Sequence, residues 1–416
     1  MDFHIFPPEE ITEATVSVPL SKSMSARALV INSVGGFENA LQLSDCDDVK
    51  VLSDTLKITK GEINTGNSGT AMRFLTAYYA ALPDAEVIIT GNKNMLARPI
   101  GVLVEALRQM GANIEYLNKE GFPPLKITGS TLSGGEILID SSISSQYVSA
   151  LMMIAPLLRT PLVLKFDGEP VSLPYIKMTA LMMTQAGNEP ELIFDGLKVE
   201  NKKYTRAIKK VERDWSAAAT WYEVVALTAG WITIDDISEE SCQGDSQIRL
   251  YGERLGVVTS PSEENEDSLE LSASPEQHSR LDADMSGTPD LVPTLAVSAA
   301  VLGIPFRFSG VSTLRYKECD RIAALQSECL KLGIILETEG HDVLLWEGKR
   351  VPITELPVID SHDDHRIVMA FAPVSVFVPG LIIRGVEAVT KSYPDYWDNM
   401  KEAGFEMKEL SDVEPE

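Results

Sequence analysis

Basic residues are scarce in this 416-residue chain: 36 lysines and arginines stand against 61 aspartates and glutamates, a formal net charge of −25. A surface so negative is repelled by nucleic acid and by anionic lipid, so neither is expected as a partner. Any anionic ligand must be held by a local cluster of cations that opposes the field of the whole chain. Cysteine is scarce too. Cys46, Cys242, Cys319 and Cys329 lie far apart and form no CxxC pair. That argues against a structural zinc and suits a reducing cytoplasm. Long apolar runs are missing: the stretch from Val368 to Pro379 is too short and too broken to cross a bilayer. The N-terminus, MDFHIFPPEEITEATV, is acidic and does not read as a signal peptide. The last residues, LSDVEPE, read as a frayed acidic tail. What is present is an ordinary globular balance, 44% hydrophobic and 23% charged, over a length that implies two or three domains.

One pattern recurs six times, a short polar cluster followed by a helix of small and apolar residues. It stands at Ser23 (SMSARALVINSVGG), Ser68 (SGTAMRFLTAYYAAL), Ser144 (SSQYVSALMMIAPLL), Asp214 (DWSAAATWYEVVALTAG), Pro289 (PDLVPTLAVSAAVLG) and Asp364 (DHRIVMAFAPVSVFVPG). The spacings are 45, 76, 70, 75 and 75 residues, which marks a repeated supersecondary unit. Inside the repeats, IGVLVEALRQMGANI, RIAALQSECLKLGII and YWDNMKEAGFE read as second helices ending at a left-handed glycine. EILID, LKITG, WITIDD and LELSA alternate as strands. Each repeat is thus strand, helix, strand, helix and a strand pair, an α/β fold. Three repeats precede Val211-Glu212-Arg213-Asp214 and three follow. The sequence therefore predicts two pseudo-symmetric domains, residues 22–212 and residues 1–21 plus 213–416. The first interval is about 30 residues short of the period, so the first repeat is expected to have lost most of its strand hairpin. All six polar clusters sit at helix N-termini, where dipoles and free N–H groups favour anions.

The clusters carry the candidate site residues. In Ser21–Arg27, Ser23 or Ser25 is expected to cap the helix, with Lys22 just before and Arg27 a turn inside. Gly66–Arg73 offers glycines that let a backbone approach a ligand, Gly69 among them. It lacks the Gly-Lys-Ser/Thr ending of a nucleotide P-loop, which disfavours an ATP-dependent phosphotransferase. Arg98 precedes Pro99, read as the start of a helix. Ser144, Ser145 and Gln146 supply hydroxyls and an amide, and Ser172 and Tyr175 a hydroxyl and a ring. Asp290 follows Pro289 at a helix start. Leu314–Arg321 packs Arg315, Lys317 and Arg321 with Glu318 and Asp320. Asp363-Asp364-His365-Arg366 fronts a very apolar helix. With His362 it makes at most a partial metal site, because no third cluster of ligands appears. Lys391, in TKSYPDYW, ends the set. Each motif alone also fits ordinary capping or a solvated surface charge; the set and its order carry the argument.

SKSMSARAL, GNSGTAMR, ARPIG, SSQ, KECDR, DDHR and TKSYPDY, in this order, resemble the 5-enolpyruvylshikimate-3-phosphate synthase family of enolpyruvyl transferases, from about Ser17 to Trp397. The resemblance implies the enolpyruvyl transferase fold: two domains of three βαβαββ units around a cleft that closes on shikimate 3-phosphate. It implies transfer of the enolpyruvyl group of phosphoenolpyruvate to the 5-hydroxyl of shikimate 3-phosphate, in the shikimate pathway of aromatic amino-acid biosynthesis. It further implies a cytoplasmic monomer that needs no metal or organic cofactor and is a target of glyphosate. By motif, Lys22, Ser23, Arg27, Ser144, Ser145, Gln146, Ser172, Tyr175, Asp290 and Lys317 would bind shikimate 3-phosphate. Lys22, Gly69, Arg98, Gln146, Arg321, Arg366 and Lys391 would bind phosphoenolpyruvate. Asp290 would be the base, Glu318 the proton donor, and Lys22 would stabilise charge near both.

Two positions depart from the family. Thr313 stands where asparagine is frequent, and Phe74 where proline is common after the TAMR arginine. Phe74 is expected to pack behind the glycine loop and to shift Gly69 slightly. Two rivals share the resemblance. The transferase acting on UDP-N-acetylglucosamine carries a cysteine in the loop before its ARP motif, and GNKNMLARP has none. A non-catalytic anion-binding homologue would be expected to lack Asp290, Glu318 or Lys22, and all three are present.

Overall fold

The computed structural model of the chain describes residues 1–10, 12–38, 41–263, 265 and 267–410. The acidic tail, from residue 411 onward, lies outside them. Helices alternate with small mixed sheets, and the described residues form five four-stranded sheets of one topology. In one of them Lys60–Asn64 pairs in parallel with Glu86–Thr90, and helix Gly69–Ala80 makes the crossover. Glu86–Thr90 then pairs antiparallel with Leu125–Thr128, which pairs antiparallel with Asn113–Tyr116. Parallel neighbours need a crossover helix and antiparallel neighbours only a turn, so the order strand, helix, strand, helix, strand pair follows. The second helices stop where the sequence has glycine: Gly333 and Gly404 follow Arg321–Lys331 and Tyr396–Glu402 at φ 71° and 89°.

Two sheets take a strand from the N-terminus. Asp2–Phe6 lies between Leu381–Arg384 and Glu406–Glu409, and Glu13–Val16 pairs in parallel with Trp231–Ile234. The chain accordingly divides into a larger compact unit, Met1–Pro19 with Arg213–Glu416, and a smaller one, Leu20–Glu212. In the larger unit, helices Trp215–Thr228, Val292–Leu302 and His365–Phe371 pack together in the core. In the smaller unit, Lys22–Gly35, Gly69–Ala80 and Ser145–Ile154 pack against one another in the same way. These six are the helices that follow the polar clusters. They are apolar on nearly every face because they are buried on nearly every face.

The first repeat has gone further than the spacing suggested. It keeps helices Lys22–Gly35 and Asp47–Thr55 but has no strand of its own among the described residues, since Lys60–Asn64 already belongs to the next sheet. Segment 201–212 runs along its first helix instead. The Tyr204 Cβ stands 3.3 Å from where a side chain on Gly35 would begin. The buried Asn32 amide donates to the Ile208 carbonyl at 3.2 Å and accepts from the Ile208 N–H at 2.8 Å. The Glu212 carbonyl accepts from the Ser21 N–H at 2.7 Å. Asn32→Ala strands both Ile208 groups without their partner and is expected to cost about 2 kcal/mol. Urea unfolding checks this: an unchanged midpoint would mean that the segment is not anchored there.

Candidate active site

In the smaller unit most candidate side chains stand at helix starts. Ser21, rather than Ser23 or Ser25, caps the first helix, its Oγ accepting from the Met24 N–H at 3.4 Å. A cap residue must still be non-helical, and Ser23 and Ser25 are already inside the helix. Lys22 is therefore the first helical residue. Its Nζ lies 3.5 Å from the buried Asp48, on the helix that the shortened repeat places next in the chain. Arg27 is almost wholly buried. Its Nε donates to Thr179 Oγ1 at 2.6 Å, Nη1 to the Ser23 carbonyl at 2.9 Å and Nη2 to Ser149 Oγ at 3.2 Å. Its guanidinium also faces the rings of Phe74 at 5.5 Å and Tyr175 at 5.9 Å. Phe74 thus packs in the Arg27 pocket.

Ser68 caps the second helix through the Ala71 N–H at 3.2 Å. At Gly69 a Cβ would come within 2.6 Å of Arg73 Nη1 and 2.9 Å of Arg98 Nη1, so two guanidinium groups close on one Cα. Arg73 donates to Gln146 Oε1 at 2.7 Å, and Gln146 Nε2 donates to Thr70 Oγ1 at 3.1 Å, tying the second helix start to the third. Pro99 lies outside the helix it was expected to begin. That helix starts at Gly101 with Ile100 as its cap residue, and the Pro99 carbonyl accepts from the Tyr147 hydroxyl at 2.6 Å. Ser144 caps the third helix by accepting from the Gln146 N–H at 3.3 Å, with Ser145 next to it. Ser172 is held at φ 53°, ψ 41°, a left-handed conformation strained for serine, immediately before helix Leu173–Gln185.

In the larger unit the site is an ion network around Arg321, which is 1% exposed. Its Nε donates to Asp364 Oδ2 at 2.7 Å and its Nη2 to Asp364 Oδ1 at 3.2 Å. Nη1 donates to Asp290 at 2.8 Å, and Nη2 also donates to Glu318 at 2.8 Å. Asp290 is further shared by Lys317 and Arg366, each at 3.3 Å, and Glu318 by Lys391 at 2.9 Å. Burial by itself would raise the Asp290 carboxyl, but Arg366, Lys317 and Arg321 hold it well below the usual carboxylate range. Burial likewise disfavours the Arg321 cation, and Asp364, Glu318 and Asp290 more than offset it. Beside them, burial and then the charge of Asp290 push the Asp245 carboxyl up to about 6, against the pull of Arg366. Ser216 donates its hydroxyl to Asp245.

The structure thus groups Lys22, Ser23, Arg27, Gly69, Arg98, Ser144, Ser145, Gln146, Ser172 and Tyr175 in the smaller unit, and Asp290, Lys317, Glu318, Arg321, Arg366 and Lys391 in the larger. Thr313 lies in the short turn Ser312–Tyr316. Asp364, Arg73, Asp48 and Asp245 were not picked out. Asp364 was visible as a helix start and Arg73 as the last residue of GTAMR. Asp48 and Asp245 are acidic residues in an acidic chain and gave no signal. Among the described residues no group of three or more His, Cys, Asp or Glu could hold a metal ion, and no helix is long and apolar enough to cross a membrane.

Residues 48–400 match the family of EPSP synthase (3-phosphoshikimate 1-carboxyvinyltransferase). The chain belongs to this family. A 3-phosphoshikimate 1-carboxyvinyltransferase of Bacteroides fragilis is 43% identical over 98% of this chain and 99% of its own. One from Methanospirillum hungatei is 33% identical over 92% and 94%. The solved EPSP synthase of Acinetobacter baumannii superposes with a TM-score of 0.72 at 20% identity, covering 98% of this chain and 100% of that one. The five sheets and two compact units are this chain's version of the enolpyruvyl transferase fold, the first repeat having no sheet among the described residues.

A buried cation stripped of a carboxylate is costly, so Asp364→Ala is expected to destabilise the larger unit by about 3–5 kcal/mol. Asp364→Asn, which keeps an acceptor for the helix cap, should lose less. Chemical denaturation of both variants reads the difference, and equal stability of Asp364→Ala and the parent would contradict the network.

Proposed function

We propose that the residues gathered in the two units carry out one reaction. It is transfer of the enolpyruvyl group of phosphoenolpyruvate to the 5-hydroxyl of shikimate 3-phosphate, with release of inorganic phosphate. The observation that carries the reading is the sharing of Asp290 and Glu318 among Lys317, Arg321, Arg366 and Lys391. Both substrates bear a phosphate and a carboxylate, and bringing them together needs several cations. Charge-assisted bonds of this kind contribute roughly 1.5–3 kcal/mol each.

The network suggests how binding and chemistry are coupled. Asp290 and Glu318 occupy guanidinium and ammonium positions that an incoming anion can use. When phosphoenolpyruvate takes Arg321, Arg366 and Lys391, the two carboxylates lose counter-charge and their affinity for protons rises. Asp290 then accepts the proton of the 5-hydroxyl as its oxygen bonds to the enol carbon C2. Glu318 delivers a proton to the methylene carbon C3. The resulting tetrahedral intermediate loses a proton from C3 and breaks its C–O bond to phosphate. Lys22, Gly69, Arg98 and Gln146 complete the phosphoenolpyruvate set from the smaller unit. Ser23, Arg27, Ser144, Ser145, Ser172 and Tyr175 hold shikimate 3-phosphate together with Lys22, Gln146, Asp290 and Lys317. We assign 22–212 to the N-terminal domain and 1–21 plus 213–416 to the C-terminal domain of a monomeric cytoplasmic enzyme. The scattered cysteines, with no CxxC pair, suit the reducing cytoplasm of that assignment.

Purified protein should release phosphate only when both substrates are supplied. No release by folded protein would reject the reaction, and release with UDP-N-acetylglucosamine in place of shikimate 3-phosphate would assign it to the sister enzyme. Glu318→Gln should bind both substrates and lower kcat by about 10²–10⁴-fold; unchanged kcat removes Glu318 as the proton donor. Gly69→Ala should raise KM for phosphoenolpyruvate by about tenfold, because the new methyl displaces Arg73 and Arg98. An equal rise in KM for both substrates would place Gly69 elsewhere.

A further inference from the structure

His362 at φ 52° and Asp363 at φ 56° stand in series between strand Val358–Asp360 and Asp364. Histidine and aspartate tolerate the left-handed region better than most residues, yet two in a row persist only where the surroundings fix them. Asp364 fixes one end of the turn by capping helix His365–Phe371 and by its two bonds from Arg321. The other end is fixed by His362, whose Nε2 lies 2.9 Å from Glu328 Oε1 and whose N–H donates to Asp360 Oδ1 at 2.7 Å. Glu328 is 2% exposed and fully engaged. It also accepts from Lys331 Nζ at 2.5 Å, from the Asp360 N–H at 2.9 Å and from Ser327 Oγ at 3.0 Å. Burial would raise its carboxyl, but the bonds from His362, Lys331 and Asp360 bring it down to about 2. It is therefore an acceptor only, and His362 Nε2 is the donor. Arg321 and Glu328 sit seven residues apart on one helix, two turns and hence one face. A single helix face grips the strained turn at both ends.

We infer that His362 is a positioning residue, whose ring docked on Glu328 holds this turn so that Asp364 meets Arg321 and Arg366 reaches Asp290. It touches none of the groups placed at the chemistry. The inference rests on the assignment of Arg321 and Arg366 to phosphoenolpyruvate.

The contact is also sensitive to pH. The Glu328 carboxylate raises the His362 ring above its ordinary value, with burial opposing, Asp360 adding and Lys331 subtracting. A raised folded-state value means the charged contact is complete below the ordinary histidine range, near about pH 6.5. It is lost as pH rises through the folded value. Glu328 remains ionised throughout. Charged or titratable groups around the turn also include Arg384, paired in register with Asp360, Asp363 and Asp364 within it, Arg321 and Cys319 bonded to Asp364, and His365 at the start of the next helix.

The test uses the full chain with His362→Asn and His362→Gln. Asparagine keeps a residue that tolerates the left-handed region but is too short to reach Glu328. Glutamine reaches with an uncharged donor. His362→Asn should raise KM for phosphoenolpyruvate by about tenfold and change kcat and KM for shikimate 3-phosphate less than about twofold. His362→Gln should recover part of the loss. In the parent, KM for phosphoenolpyruvate should climb on the alkaline side of the histidine titration; in His362→Asn that climb should be absent. Calorimetric titration with inorganic phosphate gives a readout that needs no turnover, and binding should weaken in step with KM. The inference is overturned if folded His362→Asn binds phosphate like the parent and shows the parent's KM at every pH. It is also overturned if all kinetic parameters fall in parallel with melting temperature, which is the signature of a packing role. A parent that fails to turn over both substrates rejects the reaction proposed above and leaves the phosphate titration to decide this point.

Discussion

A guanidinium buried to 1% exposure cannot stand alone, and much of the larger unit's site is built to answer that demand of Arg321. The effective cost of desolvating an ion is several kcal/mol, so it must be met by carboxylates with good geometry. Asp364, Asp290 and Glu318 meet it from three places in the sequence. Asp364 is the cap of one core helix, Asp290 lies in the turn that opens another, and Glu318 stands just before the helix that Arg321 begins. Neutralising one cation therefore fixes the starts of three helices, and with them Lys317, Arg366 and Lys391. The charge that stabilises the fold and the charge that the proposed function offers to a ligand belong to the same atoms.

In the smaller unit the guanidinium groups of Arg27 and Arg73 donate to uncharged acceptors, whereas Lys22 faces the Asp48 carboxylate. The bonds that hold Arg27 come from two hydroxyls and a carbonyl, and the one from Arg73 goes to an amide oxygen. Neutral acceptors orient a guanidinium without cancelling its charge, so these groups keep a positive field at the helix starts. In the larger unit the carboxylates cancel much of the field. Under the proposed function, a chain of net charge −25 would hold anions in two ways, by a standing positive field and by one that an arriving anion releases.

The repeat and the positions of the six core helices were legible because small-residue helices behind polar clusters recur at a fixed period. What was not legible turns on geometry that the period does not carry. Ser21 takes the cap from Ser23 because the helix begins two residues earlier than a Ser23 cap would place it. Pro99 falls outside its helix because Ile100 takes the cap position. Asp364 was seen as a helix start but not as the principal partner of Arg321, since nothing in either local sequence specifies a contact 43 residues apart. Asp245 owes its raised carboxyl to burial beside Asp290, and burial of an acidic residue in an acidic chain leaves no mark on the sequence.

The first repeat, which has no sheet among the described residues, shows which layer of the fold the candidate site depends on. Its helix Lys22–Gly35 is buried from Met24 to Asn32 and carries Lys22, Ser23 and Arg27. Those side chains are fixed by other helices: Arg27 by Thr179 and Ser149, and Lys22 by Asp48. A sheet behind this helix would contribute apolar cover, and cover is non-directional, so a different segment can supply it. Residues 201–212 do so with Tyr204, Ile208 and Val211 turned inward and with the Asn32 amide satisfying the backbone they bring. Directional contacts at helix starts have no such substitute. Among the described residues the first repeat has no sheet and still holds Lys22 and Arg27 in place, whereas moving its helix start by a residue would turn either away from its partners.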